Sequence, residues 1–502
     1  MAIAVILGLL ALLAAILVTR AALHRPEIKG HVENEAAPER KINETAAAEH
    51  LAEMVRCKTI SAGLKENQDN GTSSSGKEEL YGEFVKFRSL LEEFYPESHR
   101  VLKKVLISGH SLLYRWRGES EDNPLVLMAH YDVVPADSGD WKYPPFEGII
   151  EDEVIWGRGT LDTKATLCGI FEAVEQLIKD GFTPQQDIYL SFGHDEETMG
   201  NGTFSIVEHL RDQGIRPAAV LDEGGAIVEG VFPGVKSPIA VVGMSEKGVA
   251  DIEVLLRGSG GHSSTPGPLT PLSELSKIIL RLNKKPFPVY LPGEVLEMFS
   301  VLGRHMPFGF KIIFANLWLF KPLLKVVLPR LSRELNALCR TTCVFTMAEG
   351  SRASNVLPEK ARAVANLRLA AVNPIDDALT HVKVHAEKAA GKSLRAREPY
   401  QLEVNIVHGH NASPSTSTSS TAYIKLRETI EETFAGTIVT PYIMLGASDS
   451  RHYCAICDSI LRFSPIRMSK EELRSIHGVD ERIPVVKLSG VVKFYLSLIS
   501  KA

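Results

Sequence analysis

Histidines and acidic residues occur in this chain at spacings that suit metal binding. His130 and Asp132 directly follow the apolar run Leu125–Ala129. Because side chains two positions apart in a strand lie on the same face, this imidazole and this carboxylate can meet. One of them can bind a metal while the other orients it through the second ring nitrogen, as metal-bound histidines usually require. Alone, this spacing is more typical of an exposed surface pair.

Four further segments combine glycines, carboxylates and histidines. They are Trp156–Lys164, Gly193–Glu197, Leu221–Gly225 and Ile476–Glu481. The glycines of the first segment allow a tight turn before Asp162. Consecutive acidic side chains, as in the second segment, repel one another unless a positive charge compensates them. Taken singly, each segment is also consistent with a turn or a solvated loop.

Together, the segments supply histidine and carboxylate ligands from successive predicted strand ends. Nitrogen and oxygen ligands of this kind suit Zn²⁺, with Mn²⁺ or Co²⁺ as alternatives. A pair of metal ions about 3.5–4 Å apart is one standard arrangement for hydrolysing amides. The residues therefore favour a two-metal amide hydrolase.

Strands and helices of an α/β fold would have to position these groups. The runs Leu125–Ala129, Ile188–Gly193 and Ala218–Asp222 are strand-like and alternate with predicted helices at 162–179 and 204–213. Continuous apolar strands in such an alternation are typical of a mixed, largely parallel sheet. Open sheets of this class place ligands beyond the carboxyl ends of their strands. We therefore predict that the candidate ligands meet at one edge of the sheet.

The order of elements predicts an inserted domain. With 502 residues the chain is too long for one core. After the third strand the pattern changes to α+β, and helix–strand alternation resumes only near the C-terminus. The predicted parts are an N-terminal helix (1–23), a linker (24–45), a catalytic domain (46–245 and 411–502) and an inserted lid or dimerisation domain (246–410) with an apolar region (292–345).

The N-terminal segment predicts a secretory signal peptide or a signal anchor. Residues 2–18 are apolar throughout and are followed by Thr19 and Arg20. This length is just under the ~20 residues of a spanning helix, so both alternatives stay open. A secreted or lumenal glycoprotein is also consistent with the Asn-X-Ser/Thr sequons at Asn43, Asn70, Asn201 and Asn411.

The charge balance argues against a nucleic-acid partner. The chain has 56 basic and 61 acidic side chains, which gives a net charge of −5. A protein that binds nucleic acid through its overall field needs a basic excess. The expected partner is therefore a small-molecule substrate.

Five motifs resemble those of the di-zinc aminoacylase and carboxypeptidase metallopeptidase family. They are MAHYDVVP, GRGTLDTK, GHDEE, LDEGG and IHGVDE, in the family's order. The similarity extends from about residue 46 to the C-terminus. SEKG (245–248) and the apolar region 292–345 are most similar to the N-fatty-acyl-amino-acid synthase/hydrolases and carboxypeptidase S.

The resemblance implies a site for two Zn²⁺ ions per subunit. Asp162 would bridge the ions. His130 and Asp222 would complete the ligands of one ion, and Glu197 and His477 those of the other.

The resemblance also implies roles for residues around the metals. Glu196 would be the general base, and Asp132 would orient His130. His262, often supplied by the partner subunit of a homodimer in this family, would polarise the substrate carbonyl. The expected substrate-binding residues are Asn355 and Arg368, which would hold a carboxylate, and Gly446, in a further binding loop.

For the substrate, the resemblance favours N-fatty-acyl amino acids, which the enzyme would hydrolyse or form. The apolar stretch 301–331 would then be an acyl channel or a lipid-surface element, and a buried helical core is the alternative for this stretch. A carboxypeptidase or aminoacylase acting on dipeptides or short acyl groups is the second hypothesis. A third, from another class, is an inactive protein that binds lipids or amino acids.

Overall fold

The computed structural model describes residues 1–26, 40–61, 74–267, 269–391 and 400–502. Most of the predicted linker (27–39) and the sequon at Asn70 lie outside these residues. The described α-helices are α1 (Ala2–Leu23), α2 (Glu44–Arg56), α3 (Ser74–Phe94), α4 (Pro96–Val101), α5 (Lys164–Lys179), α6 (Gly202–Asp212), α7 (Pro271–Lys284), α8 (Gly293–Gly303), α9 (Phe308–Phe314), α10 (Leu317–Leu331), α11 (Arg333–Leu338), α12 (Ile375–Ala390), α13 (Thr421–Thr433), α14 (Lys470–Ser475) and α15 (Val485–Ile499). The described strands are β1 (Lys103–Ile107), β2 (Ser111–Trp116), β3 (Ser120–His130), β4 (Ile149–Glu151), β5 (Val154–Trp156), β6 (Gln186–Gly193), β7 (Ala219–Asp222), β8 (Ile227–Val228), β9 (Ile239–Glu246), β10 (Gly248–Arg257), β11 (Gly261–His262), β12 (Thr342–Glu349), β13 (Val356–Leu357), β14 (Lys360–Leu369), β15 (Gln401–His410), β16 (Ile438–Met444), β17 (Ile460–Arg462), β18 (Arg467–Met468) and β19 (Arg482–Pro484).

A mixed sheet forms the centre of the larger domain. Its strand order is β1-β2-β6-β3-β7-β17-β9-β8-β18, and β16 also pairs with β9. The central strands β6, β3, β7 and β17 are parallel, whereas β1 and β2 are antiparallel. Strand β9 is buried along its whole length, as expected for a strand covered on both faces. The predicted α/β fold with a largely parallel sheet is confirmed.

Helices α2, α5 and α15 pack together on the large sheet. In α5, Leu167, Ile170, Phe171 and Val174 are buried at helical spacing. That spacing gives a helix one continuous apolar face, and burying this face against the sheet stabilises both elements.

A second sheet with its own core lies between Glu246 and His410. The antiparallel order is β12-β14-β10-β15, with helices α7 and α12 packed on it. Thr270 caps α7 in a capping box with Ser273, which explains why the helix begins there. The chain leaves the large sheet after β9 and returns to it after β15.

The helices of the apolar region 292–345 do not pack in the core of the inserted domain, where the region was predicted to lie. Buried side chains of α8 to α11, among them Met298, Phe299 and Leu328, join the core of the large sheet rather than the core of the inserted domain. Helix α8 contacts β16 directly. Its apolar face is therefore used to extend the catalytic domain.

Helix α1 has the composition and length of a membrane span. It has 22 residues, and the most apolar part is not buried against the rest of the chain. Helices α9 and α10, which meet at an angle of 100°, are together also long and apolar enough to cross a membrane. Among the described residues, no other segment has this length and composition.

Candidate metal centre

Two groups of side chains bring possible ligand atoms within 4.8 Å of one another: His130, Asp162 and Glu223, and Asp162, Glu197 and His477. Asp162 belongs to both groups. Its Oδ1 lies 3.0 Å from His130 Nε2, and its Oδ2 lies 2.9 Å from His477 Nε2. Glu223 Oε1 is 3.5 Å from His130 Nε2, and Glu197 Oε1 is 3.2 Å from His477 Nε2. A carboxylate that bridges two cations requires this placement.

Strand ends bring these groups together. His130 ends β3, Glu197 follows β6, and Glu223 follows β7. These three strands are neighbours and run parallel, so their carboxyl ends lie at one edge of the sheet. Asp162 lies just before α5, and His477 lies just after α14. The site is therefore at the edge where open α/β sheets bind ligands.

A buried ion pair fastens the loop of Asp162 to the loop of His477. Arg158 Nη1 lies 2.6 Å from Glu481 Oε2, and both side chains are almost fully buried. Glu481 Oε1 accepts hydrogen bonds from the backbone N–H groups of Leu161 (2.8 Å) and Asp162 (3.3 Å). The sequence motifs contain both residues of the pair, but spacing alone did not reveal this positioning role.

Gly159 and His477, one in each of these loops, have left-handed backbone conformations. Gly159 has φ +86°, and a Cβ there would lie 2.7 Å from Val133 Cγ1, so glycine is required at the turn. His477 has φ +58°, a conformation that costs a residue with a side chain roughly 1–2 kcal/mol. Arg158 Nη2, which donates to Gly478 O at 2.9 Å, helps to hold that backbone in place.

Asp132 orients His130 and the turn that carries Glu196. Its Oδ1 lies 3.3 Å from His130 Nδ1. The backbone N–H groups of Glu196 and Glu197 donate to the two carboxylate oxygens at 3.2 and 3.1 Å. The contact predicted between Asp132 and His130 is present, and the same carboxylate links β3 to the turn after β6.

Glu196 begins a short 3₁₀ turn, Glu196–Thr198, beside the two ligand groups. Burial raises the pKa of its carboxyl well above the ordinary value. The neighbouring carboxylates of Asp449 and Glu223 add to the rise, while His130 opposes it. A carboxyl with a raised pKa beside a metal site is a suitable group to accept and return a proton.

The carboxylates of the site give it an excess of negative charge that favours cations. Hydrogen bonds to Asp162 and Glu197 raise the pKa of His477 to about 10. Burial lowers the pKa of His130, but Glu223, Asp132 and Asp162 outweigh it and hold that pKa well above its ordinary value. Protons on the imidazoles thus partly balance the carboxylates. Divalent ions would displace these protons and balance the same charge, so the donor set fits two cations of the zinc type.

Asp222 does not join either ligand group. Its Oδ2 accepts a hydrogen bond from the backbone N–H of Ser450 at 3.1 Å. The neighbouring Glu223 lies in the first group instead. The geometry therefore favours Glu223 over the predicted Asp222 as a ligand, because β7 ends at Asp222 and the side chain that reaches the edge of the sheet is the next one.

We predict that Glu223→Gln lowers zinc affinity by more than about 100-fold. This loss is larger than that expected for a residue that contacts a ligand but not the metal. Asp222→Asn, the matched control, should keep both ions because its side chain contacts a loop. Zinc per chain, measured by mass spectrometry after dialysis against graded chelator, distinguishes the variants. Loss of zinc from Asp222→Asn alone would mean that Asp222, and not Glu223, is the ligand.

His262 and Asn355 lie together on the inserted domain. They lie at the short antiparallel pair of β11 and β13, where the Ser263 N–H donates to Asn355 O at 3.0 Å. His262 is exposed, and its Nδ1 lies 2.8 Å from Ser264 Oγ. Within the described part of the chain, no hydrogen bond or ion pair connects the side chains of His262 and Asn355 to the ligand groups. The exposed imidazole is accessible to another subunit.

Arg368 lies beside a second, buried cation. It is half-buried on β14, while Lys247 lies between β9 and β10 and is 3% exposed. Lys247 Nζ donates to the carbonyls of Ala337 (2.9 Å) and Arg340 (2.7 Å). Burial and the charge of Arg368 lower the pKa of Lys247 to about 8. Two cations this close favour an anion, which agrees with the carboxylate-binding role predicted for Arg368. Lys247, in the SEKG motif, was not assigned from the sequence.

Gly446 is an exposed residue of the loop that follows β16. A Cβ at this position would meet only Met444 Cε, at 3.8 Å, so the space tolerates a side chain. The next part of the loop is held firmly, since the Ser448 N–H and Ser450 Oγ donate to the Glu246 carboxylate at 2.6 and 3.0 Å.

Glu246 also forms a fully buried ion pair with Arg462. Its Oε1 lies 2.6 Å from Arg462 Nε and 2.5 Å from Nη2. The backbone of Glu246 exchanges hydrogen bonds with Ser413 at 2.9 and 3.1 Å. The pair therefore lies where the chain enters the inserted domain, after Glu246, and close to Ser413, where the chain has left that domain again. Through Ser450 it reaches Asp222, next to the metal centre.

Comparison with known proteins agrees with this geometry. The model of "Peptidase family M20/M25/M40" matches residues 126–501. The chain is 36% identical to a probable carboxypeptidase S-like protein of Dictyostelium discoideum, over 91% of this chain and 85% of that protein. It is 34% identical to an N-fatty-acyl-amino acid synthase/hydrolase of Xenopus tropicalis, over 90% and 85% of the respective chains.

A solved structure shares the fold. The M20 family metallo-carboxypeptidase of Sulfolobus solfataricus superposes with a TM-score of 0.64 and 18% sequence identity. The match covers 90% of this chain and 98% of that chain.

Proposed function

Because this chain belongs to peptidase family M20/M25/M40, and is therefore a metallohydrolase that acts on amide bonds, we propose that it hydrolyses N-fatty-acyl amino acids. In the reverse direction it forms them from a fatty acid and an amino acid. The proposal rests above all on one observation: Asp162 is shared by two ligand groups beside Glu196.

The proposed ligands of the first Zn²⁺ are His130, Asp162 and Glu223, and those of the second are Asp162, Glu197 and His477. When bound, the ions supply Lewis acidity for the substrate carbonyl and lower the pKa of water. The histidines must be neutral to act as ligands.

Glu196 moves the proton. The attacking water transfers a proton to the Glu196 carboxylate, and the oxygen of that water bonds to the amide carbon. The C–N bond then breaks, and Glu196 returns the proton to the leaving amine. Asp132 keeps the base in position through the backbone N–H of Glu196. The reverse sequence condenses an acid with an amine when their concentrations favour it.

The inserted domain provides substrate recognition in this proposal. His262 donates a hydrogen bond to the carbonyl oxygen as negative charge develops there, from a facing subunit of a homodimer. Arg368 binds the carboxylate of the amino acid, where a guanidinium gives two parallel donors. Asn355 and the loop at Gly446 complete the contacts. The Lys247 charge strengthens the positive potential at this position.

Two observations support the fatty-acyl group. Relatives that are named N-fatty-acyl-amino acid synthase/hydrolase match most of the chain, and α9 and α10 carry exposed apolar side chains. The second candidate is a carboxypeptidase, favoured by the 36% identity with a carboxypeptidase S-like protein. With either substrate we place the catalytic domain in a secreted or lumenal compartment, since α1 has the features of a signal or anchor.

A substrate panel tests the acyl assignment. With N-oleoyl-phenylalanine, N-acetyl-phenylalanine and a dipeptide offered at equal concentrations, we expect the oleoyl compound to give the highest kcat/KM. The apolar chain adds binding energy with every methylene that it buries. The release of phenylalanine or other free amino acid is measured by chromatography.

Chelator-treated enzyme is the control and should be inactive on all three substrates until zinc is restored. A preference for the dipeptide would instead establish the carboxypeptidase, and a preference for the acetyl compound would establish an aminoacylase.

A further inference from the structure

Helix α1 is apolar and exposed over most of its length. Residues 2–18 of the helix are all apolar. Leu7, Leu9 and Leu12 are each about 60% exposed. A helix of 22 residues is long enough to cross the hydrocarbon core of a bilayer, which takes about 20 residues.

The last turns of α1 are nevertheless part of the folded protein. Arg20 Nε donates to the carbonyl of Ala315 at 3.2 Å, and Asn316 Nδ2 donates to the carbonyl of Leu17 at 3.1 Å. Ala21 is completely buried. Removing α1 would leave the groups of residues 315 and 316 without these partners. The helix is thus built into the fold at its C-terminal end.

The element that receives α1 has a second apolar face. Helix α9 packs against α1 and turns by 100° into α10. On α10, Leu324 and Leu328 are buried, whereas the side chains on the opposite face are exposed. The exposed apolar side chains of α9 and α10 include Phe308, Phe310, Trp318, Leu319, Leu323 and Val326.

Basic residues border this face. Lys321 and Lys325 are exposed and lie one turn apart on α10, between its buried and its exposed apolar sides by helical spacing. Lysines in this position extend their chains along an apolar surface and place their charge among lipid headgroups. A soluble protein partner would give no reason for a helix of spanning length on the same side.

We propose that α1 remains attached as a membrane anchor and that α9 and α10 lie in the bilayer surface beside it. When α1 crosses the bilayer, its last turn is at the level of the headgroups. The packing of α9 on this turn then brings the apolar face of α10 to the same level. Together, the two features form one lipid-contact surface. The inference is independent of which acyl group the enzyme cleaves.

Trp318 provides a direct test because it is 58% exposed on that face. The full chain is placed in vesicles of phosphatidylcholine and phosphatidylserine whose acyl chains carry bromine, a quencher of tryptophan at short range. Trp318→Phe, a conservative change, identifies the contribution of this residue by difference. We expect the Trp318 emission to be quenched, and the quenchable part to disappear in the variant.

The other tryptophans are the internal control. Trp116, Trp141 and Trp156 belong to the catalytic domain, and their emission should be the same with and without bromine. If the vesicle-bound protein keeps its full Trp318 emission, α10 does not lie in the bilayer and the proposal is wrong. The mass of the protein purified from cells tests the anchor, because a mass without α1 would equally overturn the proposal.

Discussion

Glu196→Gln is expected to lower kcat by about 10²–10⁴-fold, the usual contribution of a general base. Glutamine has nearly the same shape but cannot accept the proton of the attacking water. Neither ligand group contains Glu196, so the variant should keep both zinc ions. The rate of amide cleavage and the zinc per chain, measured on the same preparation, separate the loss of the base from the loss of metal.

Glu119→Gln is a suitable control because Glu119 is exposed and lies just before β3, at the opposite end of that strand from His130. Its kcat should equal that of the unchanged enzyme. If Glu196→Gln retained full kcat with both ions bound, another group would have to carry the proton. A loss of activity that followed loss of zinc would mean that Glu196 supports the metal centre.

Arg462→Met is expected to destabilise the catalytic domain by about 3–5 kcal/mol, because it leaves Glu246 buried without its cation. Arg462 is fully buried, and Glu246 is 1% exposed. Urea unfolding followed by circular dichroism measures the change in free energy. Since the pair also holds the loop of Ser448 and Ser450, activity should fall at urea concentrations at which the unchanged enzyme is still active.

The exposed ion pair between Arg257 and Glu403, at 2.9 Å, provides the comparison. Arg257→Met should cost at most about 1 kcal/mol, as for other surface pairs. The double variant Arg462→Met with Glu246→Gln should recover part of the lost stability, because no buried charge remains unpaired. Equal costs for the two single arginine variants would contradict the role given to the buried pair.

The centre of the large sheet could be predicted from the sequence because strands such as β6 and β9 are buried on both faces. The predicted strand Ile188–Gly193 and the predicted helix 162–179 are close to β6 and α5 as observed. When polar residues bound an apolar run of this kind, few other assignments of secondary structure fit it. The same signal explains why candidate ligands could be placed at the ends of β3 and β6 from the residues.

Adjacent acidic residues were harder to distinguish. In Asp222-Glu223 either carboxylate could reach the metals, and strand alternation does not apply beyond the last paired residue. The choice depends on the Ser450 N–H, which holds Asp222 away from the ligand groups. Ser450 is far from Asp222 in sequence, so no local pattern contains this information.

The apolar region 292–345 shows a further limit. Hydropathy revealed that these helices need a nonpolar environment but not which surface would provide it. Their buried faces extend the core of the large sheet, although the chain has already crossed into the inserted domain at Lys247. Tertiary packing therefore outweighed the order of elements along the sequence.

The position of the inserted domain has a consequence for the order of events on the ribosome. Strand β7 pairs with β17, which begins only at Ile460, and His477 is made later still. Closing so long a loop is entropically costly, and pairings between distant segments form slowly. Until β17 emerges, one edge of β7 has no partner, and exposed strand edges promote aggregation. Shielding of this edge would therefore protect the nascent protein, and the proposed ligand His477 can join the site only after β17 has been made.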